Sequence, residues 1–177
     1  MKRYLLAIGL LGVPAAAAAQ TEASAEALQT SVDELRNAIG RWAVTTDFLN
    51  NDDTVARSVS GTYEFSWITP DRVVGGRSEI PEMDQSAGIL FYVSEARQRI
   101  EMVSVGRDGR LWIMTGPLGG NYRLTEEFKT ADGDSQQLRF TRFNVTPNAF
   151  ESRMEYTSDG GRTWKPGNHQ RFQRVTK

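Results

Sequence analysis

The chain contains no cysteine and a single histidine, His169. Without cysteine there can be no disulfide framework, no thiolate nucleophile, no lipid-modified cysteine and no cysteine-based zinc site. A single histidine excludes two-histidine metal sites, and any catalytic triad would depend on this one residue. The sequence also lacks a nucleophile elbow and a phosphate-binding glycine loop. These absences favour a protein that is not an enzyme and that needs no cofactor.

The sequence also lacks a large excess of positive or negative residues. The 21 Lys and Arg residues and 22 Asp and Glu residues give a net charge of −1, and the two signs are mixed along the chain. Without a basic stripe, nucleic acid and anionic membrane surfaces are not expected partners. The apolar run at residues 4–13 is too short for a spanning helix of roughly 20 residues, and no later run approaches that length, so membrane insertion is not expected either.

The first residues have the three regions of a secretory signal peptide. Met1-Lys2-Arg3 is basic, residues 4–13 are apolar, and a run of alanines ends at Ala19. We therefore predict a signal peptide over residues 1–19 and export to the periplasm or the extracellular medium. Residues 20–29 are mainly polar and small, which predicts a flexible leader. The remaining residues, 30–177, are long enough for one domain with one core.

A short amphipathic helix is predicted at the start of this domain. Ser31 and Glu34 have the spacing of a capping box, which places the helix start at Ser31 or one turn earlier. Gly40 supplies the residue that ends the helix. The apolar face of the helix is formed by Leu28, Val32, Leu35 and Ile39.

After Gly40 the apolar residues alternate with a period of two, which is typical of strands. Ten strands are predicted, at residues 41–48, 59–67, 73–80, 89–93, 100–105, 111–114, 122–129, 138–145, 150–157 and 170–175. Gly75-Gly76 predicts a bend or bulge, and a change of phase between Phe140 and Phe143 predicts another bulge. The short turns exclude a parallel sheet. The predicted fold is therefore all-β, an antiparallel up-and-down barrel of about ten strands with a short N-terminal helix closing one end; a two-sheet sandwich is the alternative.

Three segments carry a resemblance to a known group. They are Gly40-x-Trp42 after the helix, residues 150–156 leading into 159–164, and Arg171-Phe172-Gln173-Arg174 near the end. In order and spacing they resemble the lipocalin-like barrels of the calycin superfamily, particularly bacterial secreted proteins of unknown function. The resemblance implies that Trp42 lies at the closed end of the barrel beneath an arginine of the last strand. Gly40, Trp42 and Arg174 are accordingly the predicted closure residues, with Arg171 as the alternative arginine.

A barrel of ten strands encloses more volume than its own side chains fill. We therefore expect a small apolar or amphipathic ligand inside the barrel. The predicted ligand-binding residues share the inward phase and are Tyr63, Trp67, Phe91, Met102, Phe140, Ser152 and Met154. Arg77 or Arg142 would orient a polar head group, and the glycine-rich loop at residues 116–121 would lie near the entrance.

Other functions remain open at this stage. Strands at residues 89–93 and 111–114 are apolar on both faces, which would suit a homodimer or an interaction module with a filled barrel. The architecture also resembles nitrobindin-like barrels, which implies haem held by His169 as a further alternative. Glu79, if it faced inward, would suit a proton-transfer enzyme. The segment at residues 157–164 has the pattern of an Asp-box, which we interpret as a structural turn.

Overall fold

The computed structural model describes residues 15–176, with side chains from residue 24 onward. One α-helix, α1 (Ala15–Ala38), precedes eleven strands. These are β1 (Gly40–Leu49), β2 (Val55–Thr69), β3 (Val73–Ile80), β4 (Gln85–Ser94), β5 (Arg99–Gly106), β6 (Leu111–Pro117), β7 (Tyr122–Thr125), β8 (Phe128–Lys129), β9 (Ser135–Phe143), β10 (Ala149–Thr157) and β11 (Lys165–Arg174). Two single turns of 3-10 helix, Pro81–Met83 and Glu95–Arg97, lie on either side of β4.

Ten of the strands form one closed antiparallel barrel. Each strand from β1 to β6 pairs with the next, β7 pairs with β9, and β9, β10 and β11 follow in order. β11 then pairs with β1, with Trp42 opposite Arg174 and Phe48 opposite Asn168. Because the last strand meets the first, the barrel has no free edge. The predicted antiparallel barrel is confirmed, and the two-sheet sandwich is not formed.

The seventh predicted strand is interrupted. β7 ends at Thr125, and the two-residue β8 pairs only with the start of β9, so β8 is an appendage to the barrel. The Thr125 hydroxyl accepts a hydrogen bond from the Leu138 amide, and the Thr125 carbonyl accepts one from the Gln137 side chain. Side-chain hydrogen bonds thus replace the regular ladder where the strand breaks.

Two predicted irregularities do not occur where the sequence placed them. β9 pairs with β10 without a change of register, and the strand ends at Phe143 because Asn144 adopts a positive φ of 50°. The apolar alternation shifts between Phe140 and Phe143 because Phe140 faces the interior whereas Phe143 is on the outer surface. There the Phe143 ring stacks on His169, with the ring centroids 5.7 Å apart. Gly75 and Gly76 also keep regular register with β2. The ring of Phe65 occupies the space that a side chain at Gly76 would need.

The helix starts much earlier than the capping box predicts, and residues 20–29, predicted to be a flexible leader, are helical. Alanine, glutamate and glutamine have high helix propensity, which explains the extension. Ser31 is therefore inside the helix, where its hydroxyl donates to the Ala27 carbonyl and accepts from the Gly119 amide. The predicted signal peptide lies mostly outside the described residues, and it stays a prediction.

The helix lies across one end of the barrel and closes it. Leu35 and Ala38 pack against Val74, Phe91 and Ile100, which come from β3, β4 and β5. A second cluster, formed by Trp42, Val44, Phe150 and Phe172, joins β1 to β10 and β11 at the same end. The core of the protein is therefore concentrated beneath the helix, and the rest of the barrel interior is less filled.

Candidate ligand-binding cavity

A cavity of about 440 Å³ lies inside the barrel. Its wall is mainly apolar and aromatic, with contributions from Phe48, Tyr63, Phe65, Ile80, Met83, Ile89, Phe91, Met102, Trp112, Met114, Leu138, Phe140, Phe150 and Phe172. Small polar side chains interrupt this wall at Thr46, Ser78, Ser104, Ser152, Asn168 and Gln170. The volume lies within the usual range for small-molecule sites, and the mixture of an apolar wall with a few polar groups is typical of them.

Three charged side chains form the floor of the cavity beneath the helix. Arg123 on β7 and Arg142 on β9 point inward, and Glu34 reaches them from α1. Arg123 Nη2 is 2.7 Å from Glu34 Oε2, and Arg142 Nη1 is 3.3 Å from Glu34 Oε1. The side chains of Arg123, Arg142 and Glu34 are only 7%, 12% and 14% exposed. One carboxylate therefore bridges two buried guanidinium groups.

Aromatic rings complete the surroundings of the two arginines. The Arg123 guanidinium lies over the Phe91 ring at 4.8 Å, and the Arg142 guanidinium lies over the Phe150 ring at 4.2 Å. Arg142 also donates to the side-chain oxygen of Asn37. Burial lowers the pKa of Arg142, because desolvation disfavours the charged form, and Glu34 partly opposes this effect. Arg142 nevertheless remains a cation, because a guanidinium is not deprotonated in proteins.

Five of the seven predicted ligand-binding residues line this cavity: Tyr63, Phe91, Met102, Phe140 and Ser152. The other two, Trp67 and Met154, are not among its lining residues. Trp67 packs instead against the cluster beneath the helix, because it lies opposite buried Val74 near the closed end of the barrel. Met154 lies against Gly167 of β11, where a side chain on the glycine would collide with its sulfur.

The charged floor was largely missed by sequence reasoning. On the sequence alone, Arg142 is a candidate for orienting a head group, Glu34 is a capping residue, and Arg123 has no distinguishing pattern. The alternation of apolar and polar residues in β7 is misleading, because it suggests that Tyr122 and Leu124 face the core. In the structure Arg123 and Thr125 are buried, while Tyr122 is exposed. The position of Glu34 on the helix, on the same turn as buried Leu35, is the one sequence feature that would place its carboxylate near the barrel.

The predicted closure residues come together at the end of the barrel covered by the helix. The Arg174 guanidinium lies over the Trp42 ring at 4.2 Å and donates hydrogen bonds to the carbonyls of Asn37, Ile39 and Pro147. The Trp42 indole N–H donates to the Ala38 carbonyl at 2.8 Å. Gly40 has a φ of 117°, and a Cβ there would be 2.6 Å from Arg174 Nη1. Arg171, the alternative, pairs with Asp47 instead.

Three other candidates face away from the cavity. His169 lies between inward Asn168 and Gln170, so it points outward, where its Nε2 is 2.6 Å from a carboxylate oxygen of Glu151. It therefore cannot ligate a haem bound in this cavity. Glu79 and Arg77 are on the outer surface of β3 and lie 3.5 Å apart, so neither an interior carboxylate at Glu79 nor a head-group contact at Arg77 is formed.

The predicted entrance is also on the wrong side. The loop at residues 116–121 packs beneath the helix, with the Gly119 amide donating to the Ser31 hydroxyl at 2.9 Å. The loop therefore helps to seal the closed end. The cavity extends in the other direction, to residues at the far ends of the strands such as Phe48, Ile80, Met83 and Gln85.

The predicted Asp-box turn is confirmed as a structural element. Asp159 accepts hydrogen bonds from the backbone and hydroxyl of Thr163, and the Trp164 indole packs beneath the loop and donates to the Gly161 carbonyl. These hydrogen bonds hold the pKa of Asp159 well below its usual range, with the Thr163 hydroxyl as the largest cause. The aspartate is thus fully used by the turn.

Comparison with known proteins finds similar solved structures at low sequence identity. No family model and no curated protein matches the chain. One similar solved structure is a DUF3598-family protein of unknown function from Nostoc punctiforme, with 10% identity and a TM-score of 0.45. The alignment covers 80% of this chain and 49% of that one, so this chain spans about half its length. Another is an S-type phycobiliprotein lyase from Guillardia theta, with 10% identity, a TM-score of 0.49, and coverage of 87% and 98%.

The chain forms a closed ten-strand antiparallel barrel with an N-terminal helix, and its resemblance to the calycin barrels stays a prediction. Among the described residues, no helix has the length and apolar character needed to cross a membrane. The same residues contain no cluster of His, Cys, Asp or Glu that could hold a metal ion. The outer surface of β4, β5 and β6 exposes Leu90, Val105, Leu111 and Ile113, and a homodimer through these strands stays a prediction.

Proposed function

We propose that the protein is an exported, non-enzymatic carrier that binds a small amphipathic molecule inside the barrel. The observation that supports this function is the cavity itself, which combines an apolar wall with a buried polar floor. An apolar chain would contact the aromatic wall, and a polar group would reach the floor. The ligand would enter from the end opposite α1, because the helix and the loop at residues 116–121 cover the other end.

Binding can be tested with a neutral fluorescent probe, N-phenyl-1-naphthylamine, whose emission rises in an apolar site. We expect saturable binding with one site per chain. The variant Ser104→Phe is expected to weaken binding, because this inward side chain lines the cavity and a ring would fill part of it. The neighbouring variant Val103→Phe is the matched control, since successive residues of a strand face opposite sides.

Equal probe binding by the wild type and Ser104→Phe, with both proteins folded by circular dichroism, would contradict an interior site. Native mass spectrometry of the protein purified from the periplasm of a bacterial host is the second measurement. A bound small molecule supports the carrier function, and cleavage after Ala19 supports export. A dimer mass without a bound molecule would instead favour the interaction module, for which the exposed strip on β4, β5 and β6 is the candidate surface.

A further inference from the structure

The charges on the cavity floor do not balance. Arg123 and Arg142 contribute two positive charges, and Glu34 contributes one negative charge. No other charged side chain lines the cavity among the described residues. The remaining polar partner, Asn37, is neutral. The floor of this apolar cavity therefore has one positive charge in excess.

A buried positive charge without a counter-ion is costly, because the group loses its hydration and gains no equivalent interaction. The arginines also have unused hydrogen-bond donors, which likewise indicates that an anionic acceptor is missing. Within the described part of the chain, Arg123 Nε and Arg142 Nε are buried and have no acceptor. Glu34 uses both of its oxygens on the two arginines and so cannot satisfy these donors as well. One further hydrogen-bond acceptor with a negative charge would balance the excess positive charge and could accept from these donors.

We propose that the ligand carries a single anionic head group, a carboxylate, which binds Arg123 and Arg142 at the cavity floor. This inference rests on the proposed function and specifies its ligand class: amphipathic monocarboxylates. A carboxylate matches the excess of one charge and the planar donor edge of a guanidinium. A dianionic phosphate would leave an uncompensated negative charge in the cavity, and a cationic ligand would add to the existing excess.

Glu34 acts as a positioning residue in this arrangement. It holds the two guanidinium groups next to each other and connects them to α1, while its charge lowers their combined attraction for an anion. Removal of the Glu34 charge should therefore strengthen the binding of an anionic ligand, whereas removal of either arginine charge should weaken it. These opposite effects on affinity distinguish a site that selects ligand charge from a site that depends only on cavity shape.

The test is displacement of N-phenyl-1-naphthylamine from the delipidated protein by three ligands with the same ten-carbon chain: decanoate, 1-decanol and decyltrimethylammonium. We expect decanoate to bind roughly tenfold or more tightly than 1-decanol, which is the usual effect of a buried hydrogen bond to a charged group. Decyltrimethylammonium should be the weakest. The comparison uses the wild type, so it does not depend on the folding of any variant.

Variants then assign the selectivity to the floor. Arg142→Met and Arg123→Met should remove most of the preference for decanoate over 1-decanol, and Glu34→Gln should increase it. Arg77→Met is the matched control, because it removes the same charge from the outer surface of β3, where the side chain is 66% exposed. The control should keep the preference of the wild type.

The outcomes separate the two proposals. If the neutral probe binds but decanoate is no better than 1-decanol, the carboxylate inference is wrong and the carrier function stands. The inference is also wrong if Arg77→Met lowers the preference as much as Arg142→Met and Arg123→Met. If neither the probe nor any of the three ligands binds, the carrier function fails, and the inference fails with it.

Discussion

Arg174 should be one of the most important side chains for stability, although it is near the end of the chain. Its guanidinium donates to the carbonyls of Asn37, Ile39 and Pro147 at 2.8, 2.5 and 2.8 Å. It also covers one face of the Trp42 ring. The carbonyls of Asn37 and Ile39 are at the C-terminal end of α1, where a positive charge is favourable. The variant Arg174→Met keeps most of the aliphatic stem and removes these interactions together.

The expected loss is about 3 kcal/mol. A hydrogen bond to a charged group contributes roughly 1.5–3 kcal/mol when buried, but the freed carbonyls at this rim can be partly rehydrated, so three full contributions would be an overestimate. The cation–π contact adds roughly 0.5–2 kcal/mol. Because domains are stable by roughly 5–15 kcal/mol, the variant should remain folded but clearly weakened.

Urea unfolding followed by circular dichroism measures this loss through the transition midpoint. Arg41→Met is the matched control, because Arg41 is an exposed arginine next to Trp42 in the sequence, and its replacement should change the free energy of unfolding by less than about 0.5 kcal/mol. A loss below about 1 kcal/mol for Arg174→Met would refute the assignment of a closure role. An equal loss in the two variants would refute it as well.

Three further predictions concern the closure, the outer surface and the turn. Gly40→Ala should destabilise the protein by roughly 1–3 kcal/mol in urea unfolding, because a side chain there is strained at a φ of 117° and collides with Arg174; an unchanged midpoint would contradict this packing. His169→Ala should leave the affinity for the neutral probe unchanged in fluorescence titration, since His169 is outside the barrel; a large loss would mean that the ring faces the cavity. Asp159 has a folded-state pKa below its unfolded value, so its stabilisation is present above about pH 4 and is lost as the pH falls. Asp159→Asn should therefore reduce the drop in melting temperature below about pH 4, and an unchanged drop would refute the role of this carboxylate.

The barrel could be predicted from the sequence because a two-residue alternation and the turn residues between strands are local signals. In β1, Trp42 and Val44 alternate with Arg41 and Ala43, and the first two are buried whereas the other two are exposed. The helix start could not be located, because an alanine-rich segment is compatible both with a leader and with a helix. Contacts between distant residues, such as that between Ser31 and Gly119, 88 residues apart, show that this part of the helix is packed on the barrel.

The cavity wall was predicted better than its floor. Large aromatic side chains in the inward phase of a strand are buried in the barrel, so the sequence predicts Tyr63, Phe91 and Phe140 as residues of the cavity wall. Arg123 and Glu34 are on different elements and are 89 residues apart. Each looks like an ordinary surface charge in its own segment, and only the folded barrel brings them together. A buried ion pair of this kind leaves no periodic pattern in the sequence.

The bond between Arg174 and the Ile39 carbonyl connects residues 135 positions apart. The end of α1 and the ring of Trp42 are therefore completed by β11, a strand that is far from both in the sequence. Contacts between distant parts of a chain form slowly, because a long loop must close before they stabilise anything. Until β11 docks, β1 and β10 present unpaired edges that can join other chains. Docking of β11 on β1 and β10 therefore both closes the barrel and covers these two edges.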